Sequence, residues 1–260
     1  MAILVLLSAF EACKPSASNT NWNNNENTRN PKPDGTEPPP LVKSKEEEFN
    51  DKLKQMWQGL KSFSANVHVI VQDLSEREPL VSVNGNMRYN HNEGGPHQVR
   101  VTLKAADKSG DRLEIAITGN KVDYYELNGG SEDLHLKCLG KAAKDVGISG
   151  GGGSFEQFFK KFNRRYLGEK MVNNISTTLI QLVSKSKMNL RLLDLWIDNN
   201  TMLPVEAVAL VREDRFPEGL RITARLSDPK INPNIPQSIF QLRYSKDTEK
   251  HIDRCRGGTN

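Results

Sequence analysis

One stretch of the chain has the residue types and spacing of a catalytic motif. Residues 147–151 read Gly-Ile-Ser-Gly-Gly and fit the G-x-S-x-G pattern of hydrolases, in which a strained turn from strand to helix exposes a nucleophilic serine. That turn needs an apolar strand before it, whereas Lys141–Val146 is polar and lysine-rich. His251, the histidine available downstream as a general base, lies in a polar segment. The motif therefore does not predict a serine hydrolase.

The remaining groups that could do chemistry are scattered along the chain. No H-E-x-x-H, phosphate-loop or dinucleotide-binding motif occurs, and the acidic residues are distributed as on a solvated surface. The histidines show no metal-ligand spacing; they are His68, His91, His97, His135 and His251. We therefore expect a protein that is not an enzyme and that has no cofactor and no metal.

The charge of the chain argues against a nucleic-acid partner. The formal net charge is +4 over 260 residues, and the basic residues are spread along the sequence. Nucleic-acid binding needs a concentrated basic surface, so we expect no nucleic-acid partner. An anionic lipid headgroup remains compatible with this charge. With 36% hydrophobic residues the chain can build one sizeable core, and we expect one folded domain and a monomer.

Apolar residues recur at every second position through much of the chain, which is the period of a half-buried β strand. Leu193–Ile197 and Val205–Val211 predict a hairpin, and Leu220–Leu226 continues the pattern with basic residues on its other face. Phe240–Tyr244 predicts a final strand, beyond a proline-rich edge or crossing at Asp228–Ser238. Further strands are predicted around 63–71, 81–89, 99–103, 113–117, 122–127, 134–136, 175–179 and 182–183.

The elements that position any binding site are therefore mainly strands. An antiparallel sheet of about ten strands does not stay flat, because strand twist curls it. We predict the α+β class, with a strongly curved antiparallel sheet that forms a half-barrel. Its concave face is apolar and must be covered by helices.

Two helices are predicted to supply that cover. Ser44 and Glu47 form a capping box, and apolar residues follow at helical spacing. A second capping box, Ser154 with Gln157, follows the glycine-rich residues 147–153. Phenylalanines cluster on one side of this second helix. The helix either docks onto the sheet permanently or acts as a lid over a hydrophobic cavity. They are Phe155, Phe158, Phe159 and Phe162.

The C-terminal half resembles a known family. Residues 195–198 read L-W-I-D, and after a turn and L-P the run 227–240 reads S-D-P-K-I-N-P-N-I-P-Q-S-I-F. This order resembles the bacterial lipoprotein carriers LolA and LolB, over roughly Ser44 to Tyr244. The resemblance implies a half-barrel that binds lipoprotein acyl chains. In the known carriers an arginine before a proline of the third strand region helps to hold the lid, whereas here Pro96 follows Gly95 and Arg100 is the nearest basic residue.

The first residues indicate export. Residues 1–12 are apolar and of signal-peptide length, and Cys13 after Ala12 is a candidate for lipidation, against a plain signal or a misassigned start. Residues 13–43 are rich in Asn and Pro and predict a disordered tether. The carrier-like domain then covers 44–245, and 246–260 form a polar tail. Cys138 and Cys255 either pair or stay free.

Together these observations predict a non-enzymatic periplasmic protein, anchored to the outer membrane through lipid on Cys13. Its partners would be the acyl chains of lipoproteins or another lipid, with the membrane as anchor. An envelope-stress sensor or a structural envelope lipoprotein without transported cargo is the alternative. The predicted ligand-binding residues of the cavity and lid are Phe155, Phe158, Phe159, Phe162, Val69, Val101, Ile115 and Leu195.

Overall fold

The computed structural model describes residues 44–91, 97–106, 110–118, 121–138, 162–185, 190–213, 216–246 and 248–252. In that part of the chain one α helix, α1, covers Lys45–Gly59. It begins at the predicted capping box: the Glu47 amide donates to Ser44 Oγ at 3.2 Å, and the Ser44 amide donates to Glu47 Oε2 at 2.8 Å. None of the described helices is long and apolar enough to cross a membrane.

Twelve strands form one sheet, in the order β12-β6-β5-β4-β3-β2-β1-β11-β10-β9-β8-β7. Strands β1 to β6 follow one another from the centre of the sheet toward one edge. Strands β7 to β11 follow one another from the other edge back to the centre, where β11 pairs with β1. The strands are β1 Ser62–Asp73, β2 Val81–His91, β3 His97–Ala105, β4 Arg112–Thr118, β5 Lys121–Asn128, β6 Ser131–Cys138, β7 Phe162–Val172, β8 Ile175–Ser184, β9 Leu190–Asp198, β10 Pro204–Glu213, β11 Phe216–Ile231 and β12 Glu249–Ile252.

The sheet is open and mixed: the described residues form twelve strands where the sequence predicts about ten, and the sheet departs from the predicted antiparallel arrangement at one edge. Each neighbouring pair from β1 to β11 is antiparallel, but β12 runs parallel to β6. Strand β12 lies within the residues predicted as a polar tail. It forms without an apolar pattern because pairing with β6 satisfies the hydrogen bonds of its backbone. The segments predicted as separate strands at 175–179 and 182–183 are the single strand β8.

Strand β11 extends to Ile231 and so includes the first residues of Asp228–Ser238, the segment predicted as an edge or crossing. Its pairing with β10 stops at Arg225, beyond which it pairs only with β1. Pro229 therefore lies at an edge, where its missing N–H interrupts no second ladder. A bulge opposite Ser64–Asn66 accommodates Asp228, whose φ is 52°, and Asn66 Nδ2 donates to its carboxylate at 2.8 Å. The predicted strand at 240–244 is wrong: a 3₁₀ helix covers Gln237–Phe240 instead.

One face of the sheet, which we call the inner face, carries the main apolar core. Buried residues of β1 to β5 and of β7 to β11 belong to a single cluster, which also contains Phe49, Leu53 and Leu60. Strands β2 and β3 approach each other so closely at Gly85 that a Cβ there would overlap the carbonyl of Thr102. Glycine is therefore required at this position, where the backbone of the neighbouring strand approaches closely.

Candidate functional site

The four strand residues predicted to line a cavity lie together on the inner face. Val69 of β1, Val101 of β3, Ile115 of β4 and Leu195 of β9 belong to one buried cluster and are 2–7% exposed. Their strands come from both halves of the chain and meet because β1 pairs with β11. The period-two pattern brings them to one face, since every second side chain of a strand points the same way.

Of the four phenylalanines predicted on a second helix, the structure describes one, Phe162. Phe162 is the first residue of β7, where it is paired with Ser184, so the helix does not extend to it. Its side chain is 2% exposed and belongs to the inner-face cluster. Phe155, Phe158 and Phe159 lie outside the residues that the structure describes.

Helix α1 packs against the inner face near β7. The rings of Phe49 and Tyr166 meet edge to face, with centroids 6.1 Å apart, and Arg164 Nη2 lies 3.5 Å from Glu46 Oε1. Tyr166 is an aromatic residue of this site that the sequence reasoning did not include. The residues of β7 show no alternation of apolar and polar types that would mark it.

The opposite side of the sheet, which we call the outer face, buries charged groups. Arg100 of β3 forms an ion pair with Glu114 of β4, and both side chains are about nine-tenths buried. Burial lowers the pKa of the Arg100 guanidinium, although Glu114 opposes this shift. The Arg112 guanidinium lies over the Tyr125 ring, 5.2 Å from its centroid. Arg100 therefore points away from the inner face, where a lid-holding arginine would be needed.

The C-terminal segment, residues 232–252, covers part of this outer face. Its 3₁₀ helix lies against β3 and β4, and Phe240 is 4% exposed. Leu134 and Tyr125, which are paired across β5 and β6, are buried on the same face outside the inner-face cluster. The sheet therefore has two cores of unequal size.

Two carboxylates of the outer face have pKa values shifted from their ordinary values. The Thr248 hydroxyl donates to Glu132 Oε2 at 2.9 Å, and this bond lowers the pKa of Glu132, with smaller contributions from Ser245 and Tyr125. Burial raises the pKa of Asp123, an effect that the charge of Lys121 partly offsets. The described residues of both faces show contacts suited to packing and fastening rather than a nucleophile with its base.

Comparison with known proteins gives one family model. It matches residues 156–252 and is described as "Predicted periplasmic protein (DUF2092)". No match is found among curated proteins. The match covers β7 to β12 and includes Phe162 and Leu195.

Comparison with solved structures gives several matches of low sequence identity. The lipoprotein LppX of Mycobacterium tuberculosis is 16% identical over 74% of this chain and 99% of its own, with a TM-score of 0.44. A LolA superfamily protein of Nitrosomonas europaea is 14% identical over 70% and 91% of the two chains, with a TM-score of 0.32. The MucA/MucB complex of Pseudomonas aeruginosa matches at 14% identity over 75% and 60%, with a TM-score of 0.41.

Proposed function

We propose that the protein binds acyl chains, those of lipoproteins or of another lipid, against its inner face, as a non-enzymatic carrier or anchored acceptor in outer-membrane lipoprotein sorting. The observation that carries this proposal is the width of the apolar inner face. Buried apolar residues from β1 to β5 and from β7 to β11 join one cluster, whereas a single described helix packs on it.

Helix α1 is too small to cover such a face. Its 15 residues make a rod about 22 Å long and 10 Å wide, while twelve strands at about 4.8 Å spacing would span more than about 50 Å if flat. The sheet must therefore curl, and we propose that it forms a half-barrel with the inner face concave. What α1 leaves uncovered is closed by other parts of the chain or by a ligand.

An acyl chain suits this surface physically. It has no hydrogen bonds to satisfy, and each buried methylene contributes about 0.8 kcal/mol, so contact with apolar side chains is enough for binding. We propose that Val69, Val101, Ile115 and Leu195 line the ligand site. Phe155, Phe158 and Phe159 would compete with the acyl chain for the same volume, which makes release possible, whereas Phe162 would line that volume from β7.

The proposed location is the periplasmic side of the outer membrane. The periplasmic description of the family matched over residues 156–252 supports the compartment. Lipid on Cys13 would anchor the chain, with 13–43 as a tether and 44–245 as a monomeric binding domain. The Cys13→Ser variant should move from the membrane fraction to the soluble periplasmic fraction, and unchanged fractionation would mean that the anchor lies elsewhere.

One observation favours the structural alternative. Phe162 and the four strand residues are 2–7% exposed, so the chain itself packs the inner face well at these positions. A structural envelope lipoprotein, or a stress sensor of the same fold, would keep that packing permanently. The two functions differ in whether an acyl chain can replace a phenylalanine of the proposed lid.

The Phe159→Ala variant tests this difference. If lid and ligand compete, the variant should lose some thermal stability and bind a fluorescent fatty acid more tightly than the wild type. Added fatty acid should restore its melting temperature, because a ligand that binds only the folded state stabilises it. Binding would be followed by fluorescence titration and stability by thermal unfolding.

Phe240→Ala is the matched control, since Phe240 is a buried phenylalanine of the outer face. It should lower the melting temperature without changing fatty-acid affinity. If neither the wild type nor Phe159→Ala binds the probe, and Phe159→Ala loses stability that no ligand restores, the structural function replaces the carrier function.

A further inference from the structure

Three metal-ligating groups converge at the edge of the sheet. Asp133 lies on β6 and is the register partner of Glu249 on β12, and His251 follows two residues later on the same face of β12. His251 Nε2 lies 3.3 Å from Asp133 Oδ1 and 3.6 Å from Glu249 Oε1. All three ligand atoms lie within 4.8 Å of one another.

Other contacts hold these groups in place independently. The Thr248 hydroxyl donates to Glu132, one residue before Asp133, and a hydrogen bond joins Thr248 to Ser245. The backbone ladder then fixes β12 beside β6 over four residue pairs. The backbone positions of the three ligand residues are therefore fixed by the fold, which reduces part of the ordering cost that a bound ion would impose.

We propose that Asp133, Glu249 and His251 form a binding site for a divalent transition metal of the zinc class. Ligands about 2.0–2.1 Å from a tetrahedral zinc ion are about 3.4 Å apart, close to the two distances from His251 Nε2. Imidazole nitrogen combined with carboxylate oxygen suits zinc and its neighbours, whereas calcium and magnesium are bound by oxygen ligands. Three protein ligands leave a fourth position for water.

The site joins a strand of the sheet to the C-terminal segment. Asp133 is separated from His251 by 118 residues, so one ion would tie the end of the chain to β6. A bound metal should therefore stabilise the segment that covers the outer face. The competing explanation is an ion pair between a protonated imidazole and two carboxylates, which needs no metal.

Calorimetric titration of the full chain with zinc chloride distinguishes the two. The wild type should bind one zinc ion per chain, and zinc should raise its melting temperature. His251→Ala should bind at least about tenfold more weakly, since loss of even an outer-shell partner of a metal site costs that much. His68→Ala is the matched control. His68 of β1 contacts Ser82 of β2 and is not part of the proposed site, so this variant should leave zinc affinity unchanged.

Thiols also bind zinc, so the same titration is repeated with Cys13, Cys138 and Cys255 replaced by Ser. Retained binding in this background, and its loss in Asp133→Asn, support the site. The proposal is overturned if the wild type binds no zinc, if His251→Ala binds as well as the wild type, or if binding disappears with the cysteines. None of these outcomes bears on acyl-chain binding, which is measured separately.

Discussion

The two faces of the sheet are buried by different means. The inner face is closed by apolar side chains at alternate strand positions, together with α1. The outer face buries an ion pair, Arg100 with Glu114, beneath a C-terminal segment that includes Phe240. Apolar contacts have no preferred direction, so a ligand can replace them, whereas a buried ion pair depends on its particular partner. The difference supports the proposal that the inner face takes exchangeable ligands while the outer face is held permanently.

The stability of the protein should depend most on the inner face. Phe63 of β1 is 1% exposed and lies in the inner-face cluster. Phe63→Ala should lower the free energy of unfolding by about 3–5 kcal/mol, because it removes a large buried side chain and leaves a cavity. Met171→Ala is the control at a side chain 67% exposed, and its effect should stay within about 0.5 kcal/mol. Urea denaturation measures both, and similar small losses would show that the inner face relaxes freely.

The free energy of unfolding should fall when one charge of the Arg100–Glu114 pair is removed, and should fall less when both are removed. Glu114→Ala leaves the buried Arg100 cation without its partner and should cost about 3 kcal/mol. The double variant Arg100→Met with Glu114→Leu removes the unpaired charge and should recover much of that loss. Chemical denaturation of the two variants makes the comparison. Equal destabilisation of the single and double variants would mean that shape, not charge pairing, determines packing on this face.

The inner face could be predicted from the sequence because it follows a local rule. Alternation places Val69, Val101 and Ile115 on one side of their strands, and the structure confirms these strands. The pattern was less informative for β8, where four consecutive residues, 177–180, are buried and period two is lost. The alternation therefore predicts two strands where the structure has one. Phe162 is predicted on a helix because its spacing from Phe158 and Phe159 is also helical.

The outer face could not be predicted in the same way. Arg100 and Glu114 are residue types expected in water, and only their contact explains their burial. Strand β12 reads Glu-Lys-His-Ile, which has no strand period, and it forms through pairing with a strand more than a hundred residues away. The residues proposed to bind zinc also form no sequence motif, because they come from two strands that are far apart in the chain. Sequence spacing reports local structure, whereas these features depend on long-range contacts.

The smallest expected effect concerns the attachment of the C-terminal segment, and it should depend on pH. The Thr248 hydroxyl lowers the pKa of the exposed Glu132 below its ordinary value of 4.5. A lowered carboxyl pKa means that the folded state favours the ionised form. The resulting stabilisation is complete above the ordinary pKa and is lost as the pH falls through the lowered value. Thr248→Val should therefore reduce the melting temperature slightly at neutral pH.

At a pH well below the lowered pKa, Glu132 is protonated in both the folded and the unfolded chain, so the wild type and Thr248→Val should lose this difference. Melting temperatures measured across the acid range test the expectation. Glu132→Gln is the control, because without an ionisable group at this position Thr248→Val should have an effect that does not vary with pH. If the difference between wild type and Thr248→Val instead persists unchanged into acid, the hydroxyl positions β12 by packing alone. The outer face would then be fastened, like the inner face, without a contribution from charge at this position.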